Sequence, residues 1–294
     1  MRGMTRDLPP GTRVALHVPL PGLAQGTWGV VTGGAGSVYD VSFAGMVRSV
    51  NRVHLKVARA DAEAIPADHG DLRPFVQYAC VMGSRAFGLG TDASDTDVRG
   101  FYLPPARLHW SLGGVPEQLE FESPGREEVY WEAGKFVRLA LRANPNVLEV
   151  LASPLPLTVT PVAAALLDLR EAFLSRLIVT TYGEYVRAQF RRLENERRTH
   201  GEARPKHLVH LLRLLISGAH ALRTGEVLVD VTPHRDALLA IKRGETTWAE
   251  ADAWRQALQA EFERAAAHTR LPERPDVARV EGWLLDARRA ALDW

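Results

Sequence analysis

The chain has 294 residues, a formal net charge of +1 at pH 7 and a single cysteine. The length suffices for two domains and a substantial core, and the near-neutral charge excludes a global attraction to nucleic acid, so any basic surface is local. One cysteine excludes an intramolecular disulfide and a Cys-based zinc site and suits a reducing cytoplasm, the expected location.

No stretch reaches the ~18 apolar residues of a membrane span, so no membrane partner is expected. Met1 to Pro10 lacks the apolar core of a signal peptide. From residue 11 to 58 short alternating stretches follow one another: Thr12 to Val18, Trp28 to Thr32 in part, Tyr39 to Phe43, and two more between Val47 and Val57. Glycines at 22, 26, 33, 34, 36 and 45 punctuate them. Short strands with turn residues between them predict a small barrel. The pattern resembles SH3-like or KOW-like barrels, which bind RNA, bind protein or pack on a neighbour. It is expected to be an accessory module, with a protein partner or RNA contact as its role. Residues 58–67 read as an Ala-rich connector.

Phe75 to Val81 is an apolar run that predicts a buried strand holding Cys80, read as a small buried hydrophobe. Gly83-Ser84, a loop rich in Gly and Asp, and a second strand from Val98 to Leu103 follow. Asp95 and Asp97 stand at the head of that strand, two residues apart. Side chains at i and i+2 of a strand share a face, so both carboxylates reach one point. Like charges held that close repel unless a cation lies between them. Mg²⁺ takes oxygen ligands of this kind and completes its shell with phosphate oxygens. Gly83 and Ser84 offer backbone N–H groups and a hydroxyl to a phosphate. The bland alternative is turn chemistry, which Asp also favours. A calcium loop is excluded, because the closing Glu and the regular Asp pattern are missing.

Pro104-Pro105 ends the second strand. Arg107 to Leu119 reads as a loop or short helix. Glu120 to Glu122 and Glu127 to Trp131 read as hairpin strands around Ser123-Pro124-Gly125. Glu132 to Ala143 has helical apolar spacing, and Asn144-Pro145-Asn146 stops it. The plain reading of Asn144 and Asn146 is a helix-ending turn, with a supporting role beside the site as the alternative.

Helices are predicted over 162–169, 171–199, 205–223, 233–243, 247–268 and 275–292, with Gly201, Gly225, Gly244 and Pro233 as stops and starts. Between Tyr185 and Arg223 stand nine Arg or Lys against three acids. Such a stretch holds phosphates or is a solvated face with i,i+4 pairs. Lys206, His210 and Arg213 share one helical face. His207 and His210 lack a third partner for a metal.

Gly83-Ser84-Arg85-Ala86-Phe87-Gly88, Ser94-Asp95-x-Asp97-x-Arg99-Gly100, Lys135-Phe136, Asn144-Pro145-Asn146 and Lys206-His207-x-x-His210 together resemble the polymerase-β-type nucleotidyltransferase superfamily. Closer still, they resemble the predicted nucleotidyltransferases of bacterial and phage RNA-repair gene clusters, over roughly residues 75 to 285. With the small SH3-like barrel read over 1–60, the resemblance implies an α+β fold with a nucleotidyltransferase catalytic domain over 61–160 and a helical domain over 161–294. It implies Mg²⁺ (or Mn²⁺) held by Asp95 and Asp97, with a third carboxylate on a later strand. Glu128 is the expected third acid and Glu127 the second choice. It further implies an NTP substrate held by Gly83, Ser84, Arg85, Lys206 and His210, and an RNA end as acceptor. Arg99 is expected to brace the carboxylates. Two alternatives stand beside this: AMP transfer to a protein hydroxyl, and an inactive RNA-binding module. The intact pair Asp95 and Asp97 speaks against the second.

Overall fold

The computed structural model describes residues 7–20, 23, 26–43, 46–57, 69–92, 94–200, 204–292 and 294. The predicted connector over 58–67 and the predicted stops Gly22, Gly45 and Gly201 lie outside the described residues. The chain divides into two compact units, Met1–Ala67 and Asp68–Trp294.

The first unit is a five-stranded antiparallel sheet: β1 (Arg13–Leu16), β2 (Trp28–Ala35), β3 (Val38–Phe43), β4 (Met46–Asn51) and β5 (Leu55–Val57), in the order β4-β3-β2-β1-β5. The alternation foreseen in the sequence puts Val14, Leu16, Val31, Tyr39, Val41, Phe43, Val50 and Leu55 into one core. A small barrel was expected; among the described residues the sheet does not close on itself. The helical turn Arg52–His54 carries the chain from one edge strand, β4, to the other, β5, and no pairing joins the two.

The second unit is built on a mixed sheet. β6 (Val76–Met82) is the buried strand the apolar run predicts. A single helical turn, α1 (Gly83–Ala86), replaces the start of the expected loop. β7 (Thr96–Tyr102) returns antiparallel to β6, and α2 (Ala106–His109) follows. β8 (Gln118–Ser123) and β9 (Arg126–Glu132) form the expected hairpin. β9 then lies parallel to β7, with Asp97 opposite Glu127 and Val98 opposite Glu128. Gly100 allows the close approach of β6, since a Cβ there would come within 1.8 Å of the Tyr78 carbonyl oxygen.

α3 (Ala133–Leu141) starts at Glu132, whose carboxylate accepts from the Lys135 N–H. Asn144 accepts from the N–H groups of Asn146 and Val147, so this residue starts α4 (Pro145–Leu151) as well as ending the preceding turn. β10 (Pro156–Val159), not foreseen, adds an edge strand to β6. Its four residues are all exposed, so no buried alternation marked it. The sheet order is β10-β6-β7-β9-β8.

The helices α5 (Pro161–Leu167), α6 (Tyr185–His200), α7 (Pro205–Thr224), α8 (Arg235–Arg243), α9 (Trp248–His268) and α10 (Val277–Ala290) follow. The long helix expected over 171–199 is broken. Leu174 is extended, and the backbone nearby bonds elsewhere: Arg176 N–H donates to the Pro272 carbonyl and Asp276 N–H to that of Ala172. A π-helical stretch, Val179–Glu184, then leads into α6. α7 is the central helix, buried along most of its length and ended by Gly225 at φ +78°. One apolar cluster runs from Tyr78 on β6 through Phe101, Phe136, Leu148 and Leu212 to Ala291, so sheet and helices share a core. Leu72, Ala79, Val98, Tyr102 and Tyr130 fill the other face. No helix among the described residues is long and apolar enough to cross a membrane. Cys80 is buried; burial pushes its thiol up to about 11, and it behaves as a hydrophobe.

Candidate active site

The site forms where β6 ends and β7 begins. Gly83 leaves β6 at φ +65°, and a Cβ there would come within 1.9 Å of Asp97 Oδ2. Only glycine lets the backbone adopt this left-handed turn and meet the carboxylate so closely. Asp97 follows on β7, and Asp95 stands two residues earlier. The loop between is braced: Thr91 N–H donates to Ser94 Oγ at 2.9 Å, and Arg85 Nη2 donates to the Ser94 carbonyl at 2.7 Å.

Asp95 and Asp97 line a cavity of 410 Å³ together with Ser84, Lys206, His210 and Lys242. The structure thus brings together Ser84, Asp95, Asp97, Lys206, His210 and Arg213, all picked out in the sequence. Gly83 does not line the cavity but lies against Asp97. Arg85 is exposed and lines neither this cavity nor its neighbour; its guanidinium serves the loop instead. A larger cavity of 610 Å³ lies elsewhere, around Tyr78, Leu151 and Gly225, and contains none of these residues.

Glu128 is placed away from Asp97, which corrects the expectation. Opposed residues of paired strands share a face, so Glu128 goes with Val98 and Glu127 with Asp97. The Glu128 carboxylate accepts from Arg126 Nε and from the Tyr130 hydroxyl, each at 2.6 Å. Partial burial works to raise its pKa, but the Tyr130 and Arg126 hydrogen bonds outweigh it and hold the group below its ordinary value. On the Asp97 face, Arg99 Nη2 lies 2.8 Å from Glu127 Oε1 and 3.6 Å from Asp97 Oδ1. One guanidinium therefore bridges two carboxylates that would otherwise repel. Local alternation shows that Glu127, Val129 and Trp131 share a face. Which face meets Asp97 is set only by the β7–β9 register.

The opposite wall comes from helices. Lys206, His210 and Arg213 lie along one face of α7, as their spacing predicts. Arg213 and Glu149 form a buried ion pair at 2.5 Å, and the Arg213 guanidinium stacks 3.6 Å from the centre of the Phe87 ring. Arg213 Nη2 lies 3.3 Å from His210 Nδ1. An arginine only donates, so Nδ1 accepts and the imidazole proton sits on Nε2. Burial, then the charges of Arg213 and His207, push the His210 pKa down to about 4, so the ring is neutral at pH 7.

Lys242, in the last turn of α8, was missed. Lysines commonly end helices in this way, so nothing local marked it. The same helix grips the loop through Arg235, which donates to the carbonyls of Gly88 and, at 2.9 Å, Gly90.

Among the described residues no group of three His, Cys, Asp or Glu side chains is gathered to hold a metal ion. Asp95 and Asp97 supply two carboxylates to one cavity. That donor set fits Mg²⁺, which commonly takes one or two carboxylates and completes its shell with water and substrate phosphates.

A strand–turn–strand that carries Gly83-Ser84 against Asp95 and Asp97, with Lys206 in the same cavity, is the arrangement that the resemblance to polymerase-β-type nucleotidyltransferases implies. The chain belongs to the RNA repair pathway DNA polymerase beta family, which it matches over residues 54–286. It is 34% identical over 79 residues to the uncharacterized protein YcgL of Bacillus subtilis (strain 168), a match spanning 26% of this chain and 30% of that protein. It also aligns with the crystal structure of a nucleotidyltransferase-like protein from Exiguobacterium sibiricum 255-15. That alignment covers 74% of this chain and 75% of the other at 13% identity, with a TM-score of 0.28.

Proposed function

We propose that the chain transfers a nucleoside monophosphate from an NTP to an acceptor hydroxyl, with an RNA end as the acceptor. One observation carries this reading: Asp95 and Asp97 line a single cavity together with Lys206 and Lys242. Carboxylates that hold a divalent cation and lysines that hold phosphates are the two halves of a site for a metal-bound triphosphate. A bound Mg²⁺ would neutralise the two carboxylates and draw charge from the α-phosphate.

In this reading Lys206, Lys242 and the Ser84 hydroxyl hold the β- and γ-phosphates, and the Gly83 backbone keeps Asp97 in place. His210 Nε2–H donates to a phosphate oxygen. Glu127 is the third carboxylate and takes the proton of the acceptor hydroxyl. The hydroxyl oxygen bonds to the α-phosphorus as the bond to the β-phosphate bridging oxygen breaks, and pyrophosphate leaves in line. Arg99 holds Glu127 beside Asp97. The RNA acceptor is supported by the family's description as an RNA repair pathway family. The first unit is read as an SH3-like accessory module for a protein partner, supported by the exposed Trp28, Val30 and Val47 on its strands.

The test is transfer from each α-³²P-labelled NTP, with Mg²⁺, into mixed RNA and protein of the source cell, run beside Asp97→Asn. Label in RNA that the variant loses by at least about a hundredfold is the expected result. Label in a polypeptide moves the acceptor to protein. No label and no stabilisation by any NTP in a melting assay leaves an RNA-binding module.

A further inference from the structure

A second cavity, of 270 Å³, adjoins the first, and Phe87, Asp97, His210 and Arg213 line both. Asp95 lines only the first and Arg99 only the second. Alternate residues of a strand are about 6.6 Å apart on one face, so the two cavities succeed one another along β7 with Asp97 at their junction. Their chemistry differs. Both lysines belong to the first. In the second, Arg99 is engaged by Glu127 and Asp97, and Arg213 by Glu149. What the second cavity offers is the Trp131 ring and the exposed Asn146, whose side-chain amide has no hydrogen-bond partner among the described residues.

An aromatic surface beside a free amide is nucleobase chemistry: the ring flanks the base and the amide reads its edge. Phosphoryl transfer adds a direction, because the attacking and leaving oxygens lie on opposite sides of the phosphorus. With pyrophosphate leaving into the lysine-lined cavity, the hydroxyl arrives from the other. Arg99, which lines that other cavity, also holds Glu127, the group assigned to take the hydroxyl proton. We propose that the second cavity is the acceptor subsite and receives the terminal nucleoside of an RNA strand, with Trp131 against the base and Asn146 on its edge. This rests on the nucleotidyl-transfer reading of the first cavity.

The test uses the full chain with Mg²⁺. NTP binding is read as a melting shift. RNA binding is read by fluorescence anisotropy of short, mixed-sequence single-stranded RNA with a free 3′ hydroxyl. Asn146→Ala and Trp131→Ala are expected to weaken RNA binding at least about fivefold while leaving the NTP shift as in the wild type. Trp131 packs on Phe136, at 6.1 Å between ring centres, so its variant can lose the fold; Asn146, exposed, keeps the test decisive. RNA affinity unchanged in Asn146→Ala overturns the proposal. An NTP shift lost in step with RNA binding overturns it too, and makes this cavity the seat of the incoming nucleotide. Wild-type protein that binds NTP, ignores RNA and labels a polypeptide overturns it in favour of a protein acceptor. Wild-type protein that binds no NTP brings down the transferase reading itself, which separates that failure from the others.

Discussion

The Asp97 carboxylate lies against Gly83 and 3.6 Å from Arg99, whose guanidinium also holds Glu127 at 2.8 Å. These contacts make Glu127 and Glu128 separable by experiment. Glu127→Gln is expected to lower kcat by about a hundredfold or more, as loss of a general base does. Glu128→Gln, which removes only contacts to Arg126 and Tyr130, is expected to stay within about twofold of wild type. Steady-state kinetics of the two variants side by side checks the pair; equal losses would return the third carboxylate to Glu128. His210 gives a pH prediction. The unfolded chain protonates this histidine near 6.5 and the folded chain near about 4. Its neutral form is the one the fold accepts, so its contribution to stability is complete above pH 6.5 and is lost as pH falls toward 4. Denaturant titrations across that window should fall less steeply in His210→Gln than in the wild type. Parallel slopes would contradict the burial of a neutral ring.

At the level of elements, α7 is tied to α4 by Glu149 and Arg213, both buried, and to the turn after α1 by the stacking of Arg213 on Phe87. A buried charge that loses its partner is costly, whereas removing both partners is cheap. Glu149→Ala alone is therefore expected to lose about 3–5 kcal/mol of unfolding free energy. The double variant Glu149→Leu with Arg213→Leu should recover much of that loss. A double-mutant cycle by denaturation measures the coupling, and additive losses would deny it. The helix α7 itself was legible, since Lys206, His210 and Arg213 share a face by spacing alone. The helix expected over 171–199 was not legible as two pieces. Its break at Leu174 is held by backbone bonds to residues 272 and 276, about a hundred positions away, which local periodicity does not register.

Over the whole molecule the two units have separate cores, one around Val14, Val41 and Phe43 and the other from Tyr78 to Ala291. A chain from residue 68 to 294 is expected to unfold in one cooperative transition and to keep the NTP-dependent melting shift of the full chain. Calorimetry with and without NTP checks this. Loss of cooperative folding would mean that the second core depends on the first unit.

The sequence by itself determined the strand–turn–strand with Gly83, Ser84, Asp95 and Asp97, the cationic face of α7 and most helix limits. Each of these is written in neighbours a few residues apart, by alternation, helical spacing or turn chemistry. Only the tertiary structure decided that Glu127 joins Asp97, that Lys242 enters the cavity and that, among the described residues, the first sheet is open. A strand's side chains alternate, so a shift of one residue in the β7–β9 register exchanges Glu127 and Glu128, and no local pattern sets that register. Lys242 reaches the site because α8 packs through Leu238 and Ile241 into the shared core, a contact made across more than a hundred residues of chain.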